Sequence, residues 1–234
     1  MGAGIQIWND SKYLQIDGES QHIVLLRKGT VTTAALNTGG MIPTSTATIA
    51  VNPGEFVALS SPSASFCVAG KYQDHWTLHV IGGAGAVINY WVFGPYTPSG
   101  IRVGMVIFDS KGQMIYDTGR FPLRVVGEVQ GVGDFSGWPA GRTLALVPWM
   151  QHCELFRVVY SDPEPGADTV LGIGLFTTTG FARPIGNGVI HIENTEYQRF
   201  VSGPIPRTAV PPGWEGVWSN NLQNKYSVID VTGF

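Results

Sequence analysis

Glycine and proline recur along the whole chain and argue against long uninterrupted helices. The sequence contains 31 glycines and 15 prolines among 234 residues, and both residues are unfavourable in helix interiors. Between them lie short runs in which apolar and polar residues alternate, such as the run that carries Trp76, Leu78 and Val80. This alternation is typical of half-buried strands. The sequence therefore predicts an all-β protein, and no segment favours a helix.

A stretch near the N-terminus is echoed in the second half of the chain. Residues 7–17 read IWNDSKYLQID and residues 107–117 read IFDSKGQMIYD. In both, an aromatic residue comes before an Asp-Ser-Lys turn, and an Asp ends the returning strand. Gly112 would supply the positive φ of a bulged hairpin. The next strands also match, because residues 23–26 read IVLL and residues 123–126 read LRVV.

A second, weaker echo follows in the same order along the chain. Residues 58–67 read ALSSPSASFC and residues 145–153 read ALVPWMQHC. Chance resemblance among hairpins is the alternative, but two echoes in the same order favour an internal duplication. The sequence thus predicts two tandem β-sandwich-like modules. Cys67 and Cys153 would occupy equivalent positions in separate cores, as free buried thiols.

Two changes in composition predict the domain boundaries. Residues 93–100 carry two prolines and two glycines between strong strands and suit a linker. After about residue 201 the sequence becomes proline-rich. We predict an N-terminal module over residues 1–97, a second module over residues 98–202, and an extended Pro-rich C-terminal arm over residues 203–234, which would dock on a neighbouring subunit.

The charge pattern excludes several classes of partner. Only 13% of the residues are charged, the formal net charge is -3, and Lys and Arg form no run. A protein that binds nucleic acid through its phosphates needs a basic surface, so nucleic acid is not an expected partner. The N-terminal residues do not resemble a signal peptide, and the longest uncharged stretch is interrupted by glycines. The sequence therefore predicts synthesis in a cytoplasm without membrane insertion.

The sequence offers no catalytic or cofactor-binding motif that we can assign. A Gly-x-Ser-x-Gly elbow is missing, and His152 and Cys153 are strand neighbours that would point to opposite faces. His75 and His79 would chelate a metal from a helix, but their alternating context favours a strand. His191 and Glu193 would share one strand face, although no third ligand can be assigned. We therefore predict no catalytic, cofactor-binding or metal-binding residues and no enzymatic activity.

Four tryptophans lie in proline- or glycine-bearing stretches instead of alternating strands. They are Trp138, Trp149, Trp214 and Trp218. Exposed tryptophans stack on sugar rings or anchor protein interfaces. The alternative is that these indoles plug the ends of the β modules. For Trp214 and Trp218 we favour an interface, because the surrounding segment has few other apolar residues to bury them.

The second hairpin carries a resemblance to a known group of proteins. Residues 104–117 read GMVIFDSKGQMIYD and continue to LRVVG at residues 123–127. This phrase resembles one in small β-rich proteins of unknown function from the tail modules of bacteriophages and prophages, and residues 4–9 are similar to it. The likeness covers about a third of the chain. It implies a structural role at the distal tail, and it implies no catalytic residues.

Two functions from different classes follow as expectations. The first is a non-enzymatic component of a phage tail tip or baseplate in the virion, which assembles with other tail proteins as a homo-oligomer, a trimer or a hexamer. The alternative is a carbohydrate-binding module that recognises a host-surface glycan through some of Trp138, Trp149, Tyr160 and Tyr197. A hydrolase that acts on cell wall or capsule is a third and less favoured interpretation.

Overall fold

The computed structural model describes residues 6–8, 14–17, 22–36, 44–100, 103–161, 169–201, 205–210, 216–221 and 223–234. Strands dominate these ranges, and the all-β prediction is confirmed. The elements are β1 (Gln6–Trp8), β2 (Leu14–Asp17), β3 (Ile23–Thr32), β4 (Ala34–Leu36), β5 (Thr44–Ala50), β6 (Phe56–Ser60), β7 (Phe66–Lys71), β8 (His75–Ile81), β9 (Val87–Pro95), β10 (Val106–Phe108), β11 (Met114–Asp117), β12 (Val125–Gln130), β13 (Gly133–Phe135), β14 (Leu144–Met150), β15 (Cys153–Ser161), β16 (Thr169–Gly186), β17 (Val189–Val201), β18 (Ile205–Pro206), a 3-10 turn (Arg207–Ala209), β19 (Gly216–Asn221) and β20 (Lys225–Asp230).

Strand β8 shows how the alternating runs produce this fold. Trp76, Leu78 and Val80 are buried, and the residues between them are only partly buried. Successive side chains of a strand point to opposite faces, so one face of β8 enters the core. His75 and His79 lie on the other face, about 13 Å apart at the usual rise of a strand. They are therefore too far apart to bind one metal ion together.

Two large antiparallel sheets enclose the main core. One sheet has six strands in the order β12-β20-β14-β6-β9-β3. The other has ten strands, with the path β13-β17-β16-β7-β8-β5-β4 and with β15, β18 and β19 attached beside it. Leu59, Leu146 and Tyr226 of the first sheet belong to the same apolar cluster as Leu78 and Ile190 of the second. Burial of these side chains is the main favourable contribution to folding.

The six-stranded sheet curls until its two edges meet. Val24 of β3 forms an antiparallel bridge with Pro122, which lies just before β12. Close by, the Leu123 N–H donates to the carbonyl oxygen of Ile23 over 3.0 Å. A second apolar cluster packs on the face of the sheet that is turned away from the main core. Its buried members are Ala58, Trp91, Phe93, Ala145, Val147, Ile229 and Val231.

The two halves of the chain share both sheets. In the six-stranded sheet Leu59 of β6 faces Leu146 of β14, and these two residues occupy equivalent positions in the second sequence echo. In the ten-stranded sheet Phe66 of β7 faces Ala182 of β16. Residues on both sides of the predicted boundary at residue 97 therefore build one continuous core.

The two hairpins that carry the first echo have the same geometry. Gln6 pairs with Asp17 in the hairpin β1–β2, and Val106 pairs with Asp117 in the hairpin β10–β11. Each hairpin has an irregularity in register at the corresponding place, directly before the aromatic residue. A further irregularity falls at Leu25–Arg27 in β3 and at Val125–Gly127 in β12. Bulges are specific backbone features, so their recurrence agrees with the duplication, which stays a prediction.

The predicted extended C-terminal arm, residues 203–234, is wrong for its final part. Strand β20 lies between β12 and β14 in the six-stranded sheet. Tyr226 and Val228 are fully buried in the main core, and Ile229 belongs to the second cluster. The prolines at residues 204–212 suggested an arm, but residues 225–230 return to strand-forming sequence that supplies apolar side chains to both faces of the sheet.

The Asn-Gly turn between β16 and β17 provides a matched pair of glycine variants. A Cβ on Gly188 would lie 1.9 Å from the carbonyl oxygen of Trp138, whereas a Cβ on Gly186 would meet nothing within 4 Å. Both glycines have positive φ. We expect Gly188→Ala to lower the free energy of unfolding by about 2 to 3 kcal/mol, because the backbone at Trp138 or at the turn must move to make room for the Cβ. Gly186→Ala should lower the free energy of unfolding by about 1 kcal/mol, because only its positive φ disfavours alanine.

Urea denaturation of the two variants measures this difference. Equal losses would contradict the close packing of the Trp138 carbonyl on the turn.

Candidate functional site

Trp138 is a packing residue. Its indole is partly buried against the main core, and Nε1 donates to the carbonyl oxygen of Val126 over 3.4 Å. A Cβ on Gly127 would lie 3.1 Å from this nitrogen, so the glycine makes room for the ring. The structure therefore places Trp138 in the position that the plugging alternative describes.

Trp149 has a different environment, because its side chain is 59% exposed. It lies near the end of β14, at an irregularity in register between Pro148 and Met150. Its Nε1 donates to the Ser227 Oγ of β20 over 2.7 Å. The preceding carbonyl, of Pro148, accepts a hydrogen bond from Lys71 Nζ over 2.9 Å. The indole is thus open to solvent and held through its nitrogen, and the carbonyl that precedes Trp149 is held by a second bond.

The other predicted aromatic residues are described only in part. Trp214 lies outside the described residues. The backbone of Trp218 is in β19, where it pairs with Leu155 of β15. The backbones of Tyr160 and Tyr197 are in β15 and β17. The side chains of these three residues are outside the described part of the structure, so the predictions for them stay predictions.

Polar side chains lie near Trp149 on β20, which pairs with β14, and on β12, which lies beyond β20. Ser227 faces Glu128 of β12, and Lys225 faces both Gln130 of β12 and Met150 of β14. Residues that face each other on adjacent strands project from the same side of a sheet. Glu128 Oε2 and Lys225 Nζ are 3.2 Å apart, and Gln130 donates a hydrogen bond to Gln223. We call the residues Glu128, Gln130, Trp149, Gln223 and Lys225 the Trp149 patch.

Sequence reasoning found only one member of this patch. Trp149 was identified from its neighbours Pro148 and Met150. Its polar companions come from β12 and β20, and no local pattern marks them as neighbours of a tryptophan. A prediction that β20 pairs with β14 would have identified them, but the C-terminal region was expected to be an arm.

Apolar side chains are also exposed around the hairpin β10–β11. Val103, Met105 and Phe108 are exposed, and Phe121 is exposed on the segment that follows the hairpin. The turn is well formed, since the Asp109 Oδ1 accepts hydrogen bonds of 2.8 Å from the backbone N–H groups at positions 111 and 113. The hairpin is therefore a structured element that presents apolar groups to solvent.

The base of the hairpin is fixed by a buried carboxylate. Asp117 is 1% exposed. It accepts hydrogen bonds from Tyr96 Oη over 2.6 Å, from the Ser99 N–H and Oγ over 2.9 and 2.6 Å, and from the Gly119 N–H over 2.8 Å. Burial alone would raise the pKa of Asp117, but these hydrogen bonds outweigh it and lower the pKa to about 2. The predicted linker is thus tied to the hairpin.

The two cysteines are free, as predicted, but they are not isolated from each other. Burial raises the pKa of Cys67 to about 12, and the charge of Cys153 acts in the same direction. Burial also raises the pKa of Cys153. Cys67 is buried as predicted, whereas Cys153 is only partly buried. Both thiols are protonated near neutral pH, so neither has the thiolate character of a nucleophile.

Two acidic side chains lie close to His191. His191 Nδ1 is 2.6 Å from Asp134 Oδ1, and His191 Nε2 is 3.9 Å from Glu193 Oε2. In the described ranges no group of three or more His, Cys, Asp or Glu side chains has a geometry that could hold a metal ion. Over the same ranges, no helix has the length and apolar character needed to span a membrane.

Comparison with known proteins gives no relative to which this chain can be assigned. A scan of protein-family models, a search of curated proteins and a search of solved structures each found no match. The resemblance to phage tail-module proteins therefore stays a prediction that depends on the hairpin phrase at residues 104–117.

Proposed function

We propose that this chain is a non-enzymatic structural component of a bacteriophage tail tip or baseplate. Two observations support the proposal: the sequence of the hairpin phrase, and the exposed apolar side chains on this hairpin and on the segments directly before and after it. The second carries the argument. Grouped apolar side chains on a soluble monomer favour aggregation unless a partner covers them. We infer that the apolar surface of a neighbouring tail subunit covers the hairpin β10–β11.

The composition supports a subunit with covered surfaces. Charged residues make up 13% of the chain, against roughly 25% in typical soluble domains. Few charges reduce the desolvation cost when surfaces come into contact. We further propose that the protein is made in the bacterial cytoplasm, joins other tail proteins in the virion, and forms a symmetric trimer or hexamer.

Antibody labelling of intact phage particles, viewed by negative-stain electron microscopy, tests the virion role. Label confined to the far end of the tail would support the proposal. Unlabelled particles, with the protein detected elsewhere in the same lysate, would overturn it.

The role of the hairpin is tested by a substitution at Phe108. Phe108→Asp should sharply reduce incorporation into particles, because the charge would be buried against the neighbouring subunit, while the melting temperature stays within a few degrees of the parent protein. The matched control is Ile185→Asp, an exposed apolar position near the end of β16. Equal incorporation of the Phe108 variant and its control would contradict docking through this hairpin.

A further inference from the structure

Trp149 presents an open aromatic face whose position is already fixed. Its indole nitrogen is bonded to Ser227, and Lys71 holds the carbonyl of the preceding residue. The chain is also held two residues later, because Gln151 Oε1 accepts from the Val68 N–H over 3.0 Å and Gln151 Nε2 donates to the Gly180 carbonyl over 3.2 Å. A ligand that stacks on this indole would therefore meet a surface that needs little further ordering.

The polar members of the patch suit a ligand that both donates and accepts hydrogen bonds. Glu128 supplies a carboxylate, Lys225 an ammonium group, and Gln130 and Gln223 supply amides. Ring hydroxyls of a sugar are donors and acceptors at once, and can exchange bonds with each of these groups. A pyranose ring has both features that this patch could bind, an apolar face and an edge that carries hydroxyl groups.

The charge balance of the patch points to a neutral ligand. Glu128 and Lys225 form an ion pair at 3.2 Å, so their charges compensate each other locally. An acidic saccharide or a nucleic acid would require excess positive charge, which this patch lacks.

The size of the apolar area favours a saccharide over a protein. Protein interfaces of standard size surround their aromatic anchors with a broad apolar core and bury about 800 Å² on each partner. Here one indole and the exposed end of Met150 are bordered by charged and amide side chains. An area of this kind matches one sugar ring.

We propose that the Trp149 patch binds a neutral oligosaccharide. One pyranose ring stacks on the indole of Trp149, and its hydroxyl groups exchange hydrogen bonds with Glu128, Gln130, Gln223 and Lys225. The inference does not rest on the tail role, because it uses none of the residues of the hairpin β10–β11.

Isothermal titration of the full chain with neutral hexasaccharides tests the proposal. The probes are the β-1,4-linked hexamers of glucose and of N-acetylglucosamine and the α-1,4-linked hexamer of glucose. At least one should bind, and Trp149→Ala should weaken that binding about tenfold or more through loss of stacking. Trp149→Phe should retain part of the affinity, because it keeps an aromatic face but loses the bond to Ser227.

The matched control is Tyr72→Ala. Tyr72 is 58% exposed, nearly the same as Trp149, and it stacks on His75 at the turn between β7 and β8 and is not a member of the patch. Its removal should leave the affinity unchanged. Raising the ionic strength should also have little effect, since a neutral ligand gains nothing from long-range attraction.

Three results would overturn the proposal: no binding of any hexasaccharide, equal binding by the Trp149→Ala variant, or binding that weakens steeply as the ionic strength rises. A chain that self-associates through Trp149 and binds no sugar would also overturn it, and would identify the patch as a protein interface. The antibody labelling of phage particles tests the tail role separately, so a negative result in the titration would not contradict that role.

Discussion

Val228→Asp should abolish cooperative folding of the chain. Val228 is 0% exposed and lies on β20, where it faces Gly127 of β12 and Leu146 of β14. A carboxylate at this position would be buried in the main core without a partner. We expect the free energy of unfolding to fall by about 5 kcal/mol or more, which equals the whole stability of many domains.

The matched control is Val132→Asp. Val132 is 57% exposed, between β12 and β13, and the same change there should alter stability by less than about 0.5 kcal/mol. Near-ultraviolet circular dichroism and urea titration of both variants measure the difference. A Val228 variant that unfolds cooperatively at nearly the parental urea concentration would contradict the burial of β20 and restore the interpretation of residues 203–234 as an arm.

Asp117→Ala should have the second largest effect and lower the free energy of unfolding by about 4 kcal/mol. The substitution removes the acceptor of hydrogen bonds from Tyr96, Ser99 and Gly119. Bonds to a charged acceptor are stronger than neutral ones, and the buried Tyr96 hydroxyl would be left without this partner. The hairpin β10–β11 should then lose its fixed position relative to residues 95–100.

Asp109→Ala provides the control on the same hairpin. Asp109 also accepts two backbone hydrogen bonds, but it is only partly buried at the turn. Asp109→Ala should lower the free energy of unfolding by about 1 kcal/mol, as the removal of other capping side chains does. Thermal unfolding of the two variants gives the comparison, and similar losses would show that burial adds nothing to the role of Asp117.

The contribution of Asp117 should also depend on pH. Its pKa is lowered to about 2 in the folded chain, below the ordinary value of about 3.9 for an aspartate in an unfolded chain. A lowered pKa means that the folded state favours the ionised form, so the stabilisation is present above about pH 4. It is lost as the pH falls toward 2, because the carboxylate becomes protonated. Asp117→Ala should therefore destabilise the chain less at pH 2 than at pH 6.

The parts of the fold that depend on local sequence could be predicted. Alternation in residues 75–81 identifies β8, and the Asp-Ser-Lys phrase with Gly112 identifies the second hairpin, since both signals are contained in neighbouring residues. Pairing between distant strands could not be predicted. Leu59 and Leu146 were recognised as equivalent residues, yet nothing in either segment indicates that they face each other. Such pairs depend on how the two halves pack.

The same distinction between local signals and distant strand pairing applies to the candidate site. The neighbours of Trp149 in the sequence mark it as an indole outside a regular alternating strand, which is a local signal. Glu128 and Lys225 belong to the site only because β12 and β20 pair with each other. Lys225 also begins a strand that follows a proline-rich stretch, and that composition concealed it. The residues that border the indole could be found only once the sheet order was known.

The central position of β20 has a consequence for synthesis of the protein. Its partners β12 and β14 leave the ribosome earlier, so each has an unpaired edge until residues 225–230 emerge. Unpaired edges and uncovered apolar side chains make nascent chains dependent on chaperones. A chain whose translation stops early cannot complete the six-stranded sheet and would be left for proteases. The six-stranded sheet is therefore completed only after residues 225–230 have been synthesised.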